Sequence, residues 1–232
     1  MSRIAYADAP LAARVPFDLA RPRAILFDWD NTLVDSWATI HEAVNTVMAA
    51  MGKPLWSLPE TKQRARLSLR ESFPLHFGDR WLEARQIYLD AYRAIHLERL
   101  RPLPGRGELL QRLAVAGIFL GVVSNKTGAL LRREAEEMGW SGFFGSIVGA
   151  GDARLDKPDA APVTLALERS GVMAGKAVWL VGDTGVDMKC ARNSGCVPVL
   201  LGSEATEDEF FCCEPRLFFS DCASLFHFVQ GL

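Results

Sequence analysis

The sequence lacks an excess of either charge: 26 Lys and Arg stand against 28 Asp and Glu, a formal net charge of -2. No broad basic field is therefore present to collect phosphate backbones or anionic lipid, and nucleic acid is not expected as the main partner. No window approaches the roughly eighteen apolar residues of a membrane span. The opening stretch MSRIAYADAPLAARVPFDLARP has one early arginine and no continuous apolar core, so it does not read as a signal peptide. Zinc-like cysteine spacing is missing too. The five cysteines, Cys190, Cys196, Cys212, Cys213 and Cys222, are odd in number and read as free thiols of a reducing compartment. His41, His76, His96 and His227 show no metal spacing, and three of them fall in one helical stretch. Internal repeats and low-complexity tracts are also absent. What remains is an ordinary globular balance, 49% hydrophobic and 23% charged over 232 residues, sufficient for one large domain or for one core domain carrying a smaller insertion. A compact cytoplasmic protein is expected.

Residues 1–22, with Pro10, Pro16 and Pro22, read as an irregular arm, and Arg23 to Phe27 as a short buried strand. From Ser36 to about Leu100 the period is helical. Trp37, Ile40, Val44, Val47, Met48 and Met51 lie near a 3.6 repeat that Gly52 and Pro54 stop, and a second amphipathic stretch runs from Arg80 to Leu100. Pro102, Pro104, Gly105 and Gly107 mark the return. Helices are then expected over Glu108 to Ala116, Thr127 to Met138, Pro158 to about Ser170, and from the end of the Ala177 to Val181 strand to Ser194. Pro158 is expected in the first turn of its helix. Further strands are expected at Gly117 to Val123, Ser146 to Val148, Val197 to Leu201 and Leu217 to Phe219, and Asp221 should cap a final helix to Val229. The fold class is α/β: a doubly wound parallel sheet, Rossmann-like, formed by residues 1–35 and 102–232, with an inserted all-helical domain at 36–101. The aromatic pairs Phe210-Phe211 and Phe218-Phe219 read as core packing.

Such sheets bind ligands at the carboxyl ends of their strands. Three runs end there in chemistry: AILFD at Asp28, IFLGVVSN at Ser124 and Asn125, and AVWLVGD at Asp183. Asp30 and Thr32 follow the first, Asp187 lies one helical turn beyond Asp183, and Lys157 stands before Pro158. Gathered carboxylates repel unless a cation intervenes, and an oxygen-only donor set suggests Mg²⁺ together with substrate phosphate oxygens. Ser124 Oγ, the backbone N–H groups after it and Lys157 suit the remaining oxygens of a tetrahedral anion. Asp28 and Asp30 suit a nucleophile and an acid/base pair, so the site reads as phosphoryl transfer without a nucleotide-binding glycine loop.

In order, Asp28-Trp29-Asp30-Asn31-Thr32, Ser124, Lys157-Pro158 and Gly182-Asp183-Thr184-Gly185-Val186-Asp187 resemble the four motifs of the haloacid dehalogenase superfamily, and in particular its phosphoglycolate-phosphatase-like members with a helical cap. The resemblance implies Asp28 as nucleophile and metal ligand, and Asp30 as acid/base and backbone-carbonyl ligand. It implies Ser124 and Lys157 as phosphate holders, with Thr32 and Asn125 counted beside them, Asp183 as a metal ligand, and Asp187 supporting the metal or Lys157. Asn31 departs from the glycine of many relatives but tolerates turn geometry. In such caps a loop facing the nucleophile selects the leaving group. Arg64, Arg66, Ser68 and Arg70 are candidates for that task, against the simpler reading of a solvated helix face. The expected activity is Mg²⁺-dependent hydrolysis of a small phosphate monoester, such as phosphoglycolate or a sugar phosphate, through an aspartyl-phosphate. A phosphotransferase or sugar-phosphate mutase using the same intermediate and a non-catalytic binding protein are the alternatives.

Overall fold

The structure, a computed structural model, describes residues 19–202 and 213–232. Residues 1–18 of the expected arm, Cys212 and the Phe210-Phe211 pair lie outside the described residues. The strands are β1 (Ala24–Phe27), β2 (Val34–Asp35), β3 (Arg101–Pro102), β4 (Phe119–Thr127), β5 (Ser146–Ala150), β6 (Val178–Gly182), β7 (Val197–Leu201) and β8 (Leu217–Phe219). Six of them form a sheet in the order β5-β4-β1-β6-β7-β8, each pair parallel. Because β1 lies between β4 and β6, the three strand ends singled out above are neighbours.

Between β2 and β3 the chain builds α1 (Trp37–Ala50), α2 (Leu58–Arg64), α3 (Leu69–Phe77) and α4 (Trp81–Arg99). Ile40, Ala43, Val44 and Val47 recur at helical spacing on α1, and they pack with Trp56, Phe73, Phe77, Tyr88 and Tyr92 in one buried cluster. Ser57 and Glu60 close a capping box at the start of α2. β2 and β3 pair antiparallel, Asp35 opposite Arg101, and make the narrow neck through which the chain leaves for these helices and returns. The described residues thus carry an all-helical cap inserted into an α/β core.

The core helices are α5 (Arg106–Val115), α6 (Gly128–Glu137), α7 (Ala161–Leu167), α8 (Gly185–Asn193) and α9 (Cys222–Gln230). Side chains alternate across a strand, so Ile25 and Phe27 meet α5, α6 and α9, while Ala24 and Leu26 meet α7 and α8. Each fully buried aliphatic or aromatic side chain contributes roughly 1.5–3 kcal/mol. Burial on both faces is why these strands are uniformly apolar rather than alternating. Asp221 caps α9 as expected, accepting from Ser224 N at 2.8 Å. Among the described residues, Cys190, Cys196, Cys213 and Cys222 are buried and form no disulfide.

Two local expectations are corrected. Pro158 is not in a helical first turn: its peptide bond to Lys157 is cis, α7 starts at Ala161, and Pro162 takes the first-turn place. Asp159 Oδ1 accepts from Ala161 N at 2.8 Å, so the segment between is a turn held by a side chain. β4 also begins later and ends later than its apolar run suggests, at Thr127 rather than Val123, because pairing with β5 is irregular between Val123 and Thr127 and resumes at Ala150. Such an irregularity re-aims the side chains within it, here Ser124 to Lys126.

Gly182 closes β6 where Asp187 folds back against it; a Cβ there would stand 2.3 Å from Asp187 Cγ and 2.4 Å from its Cβ. Gly182→Ala is therefore expected to cost about 1–3 kcal/mol in denaturant unfolding, as overpacking does, and an unchanged midpoint would show that Asp187 moves away freely.

Candidate active site

The site is built on the ends of β1, β4 and β6. Asp28 N donates to Val181 O at 2.8 Å, carrying the sheet ladder one residue past β1. The chain then turns at Asn31, which has φ 62°, and Asn31 Oδ1 accepts from Ser36 N at 3.2 Å. A short polar side chain is suited to that left-handed conformation, so the substitution for glycine noted in the sequence is accommodated. At the end of β6, Thr184 and Asp187 form a reciprocal capping box at the start of α8, and Asp187 Oδ2 accepts from Thr184 N and Oγ1 at 3.0 and 2.6 Å.

Lys157 joins the two acidic loops. Its Nζ donates to Asp28 Oδ1 at 2.7 Å and to Asp187 Oδ1 at 2.6 Å, and all three residues are buried. Asp183 accepts from Thr32 Oγ1 at 2.9 Å, which places Thr32 behind the acid and fully buried. Oxygens of Asp28, Asp183 and Asp187 lie within 4.8 Å of one another, as a bound cation would require. Burial raises the Asp28 carboxyl to about 6; Lys157 opposes this and Asp187 adds to it. Asp183 is pushed well above its ordinary value by burial and then by Asp187 and Asp28. Burial alone would lower the Lys157 ammonium, but Asp187 and Asp28 more than offset it and the net shift is upward. One lysine thus leaves the three acids short of positive charge, and a hard oxygen-coordinated metal ion fits this donor set.

Asp30, two residues from Asp28, has its carboxylate in different surroundings. Lys126 Nζ donates to Asp30 Oδ1 and to Glu134 Oε2, each at 2.6 Å. Trp29, His96 and Tyr92 also converge on Glu134, which donors hold below the ordinary carboxylate range in spite of its burial, Lys126 contributing most. Neither Lys126 nor Glu134 was anticipated from the sequence. The available signal was Glu134 itself, a charge among Leu130, Leu131 and Ala135 on the apolar stripe of α6.

Ser124 and Asn125 also face the site. Ser124 Oγ accepts from Lys126 N at 3.2 Å. Asn125 Nδ2 donates to Arg66 O at 3.2 Å and Lys157 O at 3.1 Å, linking cap and core, while its Oδ1 is buried with no hydrogen-bond partner. The four cap candidates separate. Arg70 is half-buried and engaged by the core: Nε and NH2 grip Asp156 at 2.5 Å each, next to Lys157. Ser68 is buried beside Glu71, and Arg64 pairs with Glu60 at the exposed rim while stacking over Trp56. Arg66 is half-buried and lies near Asp183 and Asp187; its pKa is drawn down by burial against their opposing pull. Between cap and core lies a cavity of about 110 Å³ whose lining includes Asp28, Asp30, Ser124 and Lys157 from the core, and Trp37, Ile40, Val44, Arg66 and Phe73 from the cap.

The family model described as haloacid dehalogenase-like hydrolase matches residues 25–200. A phosphoglycolate phosphatase of Xanthomonas campestris is 30% identical over 194 residues, covering 81% of this chain and 87% of the relative. A solved hydrolase of the same superfamily from Ehrlichia chaffeensis is 29% identical with a TM-score of 0.62, covering 91% of this chain and 98% of that one. A haloacid dehalogenase-like hydrolase from Streptococcus pneumoniae, 24% identical, superposes with a TM-score of 0.79 over 90% of this chain and 99% of that one, a likeness of fold.

The raised Asp28 sets a sign. A carboxyl whose folded pKa exceeds its unfolded value favours the folded state below the unfolded value and loses that contribution as pH rises through about 6. In protein kept metal-free with chelator, Asp28→Asn should raise stability at pH 7.5 by about 1–3 kcal/mol. The gain should vanish below about pH 4, the ordinary carboxyl range, where Asp28 is neutral in both states. A stability difference independent of pH in thermal unfolding would refute this.

Proposed function

This chain belongs to the haloacid dehalogenase-like hydrolase family and is a phosphoric monoester hydrolase; from that premise we propose that it hydrolyses a small phosphorylated metabolite in the cytoplasm through an aspartyl-phosphate on Asp28, with Mg²⁺. The observation that carries the proposal is the Lys157 bridge between Asp28 and Asp187 beside Asp183, at the mouth of a cavity closed by the cap. Mg²⁺ held by Asp28, Asp183 and Asp187, with the Asp30 backbone carbonyl, would neutralise charge on the phosphoryl oxygens. Asp28 Oδ attacks phosphorus, the ester P–O bond breaks with its electron pair going to the leaving oxygen, and Asp30 gives that oxygen a proton. Asp30 then takes a proton from the water that attacks the phosphoryl group, which frees Asp28. Lys157, Ser124 Oγ and the backbone N–H after it hold phosphoryl oxygens through both steps, while Thr32 holds Asp183 and Asn125 holds the Lys157 loop.

Phosphoglycolate is the first candidate substrate. The relatives named phosphoglycolate phosphatase support it, and so does Arg66, a cation on the cavity wall where a small leaving group would carry its carboxylate. No described helix is long and apolar enough to cross a membrane.

Phosphate release should be measured from a panel containing phosphoglycolate, sugar phosphates and p-nitrophenyl phosphate, with Mg²⁺ or with chelator. Turnover should require Mg²⁺ and fall by about 10³-fold or more in Asp28→Asn. Arg66→Ala should raise the phosphoglycolate KM about tenfold or more, the loss of a charge-assisted contact, with a smaller effect on p-nitrophenyl phosphate. Full activity in Asp28→Asn would rule out the covalent route, and equal effects of Arg66→Ala on both esters would rule out its part in selection.

A further inference from the structure

We infer that Lys126 and Glu134 are positioning residues that aim the Asp30 carboxyl at the leaving oxygen, and that cap helix α4 completes their arrangement. The inference rests on the phosphatase reading and on Asp30 as its proton donor. Glu134 is fully buried and fills both oxygens with donors: Trp29 Nε1 at 2.7 Å and Lys126 Nζ at 2.6 Å on Oε2, His96 Nδ1 at 2.8 Å and Tyr92 Oη at 3.2 Å on Oε1. With an ionised acceptor, the His96 contact requires the proton on Nδ1.

Two of these donors act on Asp30. Trp29 precedes it in the chain, so the anchored indole fixes the backbone entering Asp30. Lys126 grips its Oδ1 at 2.6 Å, leaving Oδ2 as the oxygen outside that grip. Both restraints end on the same Glu134 oxygen. The other oxygen belongs to the cap, since Tyr92 and His96 both sit on α4, and Lys126 Nζ also lies 5.0 Å from the centre of the Tyr92 ring. Orientation of the acid and seating of α4 therefore depend on one carboxylate.

A structural role alone accounts poorly for this cluster. Leucine at position 134 would continue the stripe of Leu130, Leu131 and Ala135, whereas a buried ion pair is often no more stable than well-packed apolar residues. A cluster retained for geometry fits better. A general acid works only within hydrogen-bond reach of the atom it protonates, and closing the cap excludes water from that place.

The test compares an ester that needs proton donation, phosphoglycolate or another alkyl phosphate from the panel, with p-nitrophenyl phosphate, whose leaving group departs as an anion. kcat/KM isolates the step in which the ester bond breaks. Lys126→Met and Glu134→Gln should lower kcat/KM for the alkyl ester at least about tenfold more than for p-nitrophenyl phosphate, within the usual range of general-acid catalysis. Lys126→Arg should recover part of the difference. Tyr92→Phe, which removes one hydroxyl and keeps the ring, should shift the ratio in the same direction by about threefold, the worth of one modest hydrogen bond, and serves if a buried-charge variant fails to fold. Equal losses on both esters, or an unchanged ratio in folded Tyr92→Phe, would overturn the inference. Absence of turnover of either ester by the wild type would instead overturn the phosphatase reading, and the inference with it.

Discussion

Everything at the sheet edge depends on compensating negative charge. Asp28, Asp183 and Asp187 come together because β1 and β6 are adjacent parallel strands and α8 starts immediately after β6. Burial first, and that density with it, pushes protons onto the acids, and Asp28 and Asp183 are both raised. Lys157 relieves part of it from a loop that must itself be held: Asn125 takes its carbonyl, and Asp156 next to it is clamped by Arg70 from the cap. Gly182 answers the same crowding, since a Cβ there would force Asp187 to shift.

Two carboxylates only two residues apart thus acquire different partners. Asp28 looks into the acidic cluster and meets Lys157, while Asp30 looks away from it and meets Lys126. The Asn31 turn and the anchored Trp29 maintain that divergence. A chemistry that gives two neighbouring acids different tasks is served by such a separation.

The cap combines an apolar interior with charged contacts at its edge. Its helices cohere through Val44, Val47, Phe73 and Tyr88, and its register on the core is set by Arg70 with Asp156 and by Tyr92 and His96 with Glu134. Apolar packing tolerates sliding, whereas bidentate and fully occupied ionic contacts hold one alignment.

Much of this was legible beforehand, for local reasons. Apolar runs of strand length, helical periodicity between residues 37 and 99, and punctuation by Pro102, Pro104 and Gly105 determine the alternating architecture and its helical insertion. The polar residues ending Ala24–Phe27 and Val178–Gly182 identify the chemical edge, because a buried parallel strand carries polar groups only where it emerges. Thr32 behind Asp183, Arg70 on Asp156 and the Lys126–Glu134 pair were not legible. Those contacts join residues 86 or more apart in sequence, or, for Lys126 and Glu134, bridge a strand end and the helix packed on it. Pro158 shows the same limit at short range, since its helix-start pattern lost to the turn that brings Lys157 into the site. The sequence by itself determined which residues carry charge and at which strand ends they emerge. Only the tertiary structure decided which cation faces which acid, because ion pairing is set by distance in space and chain separation encodes none of it.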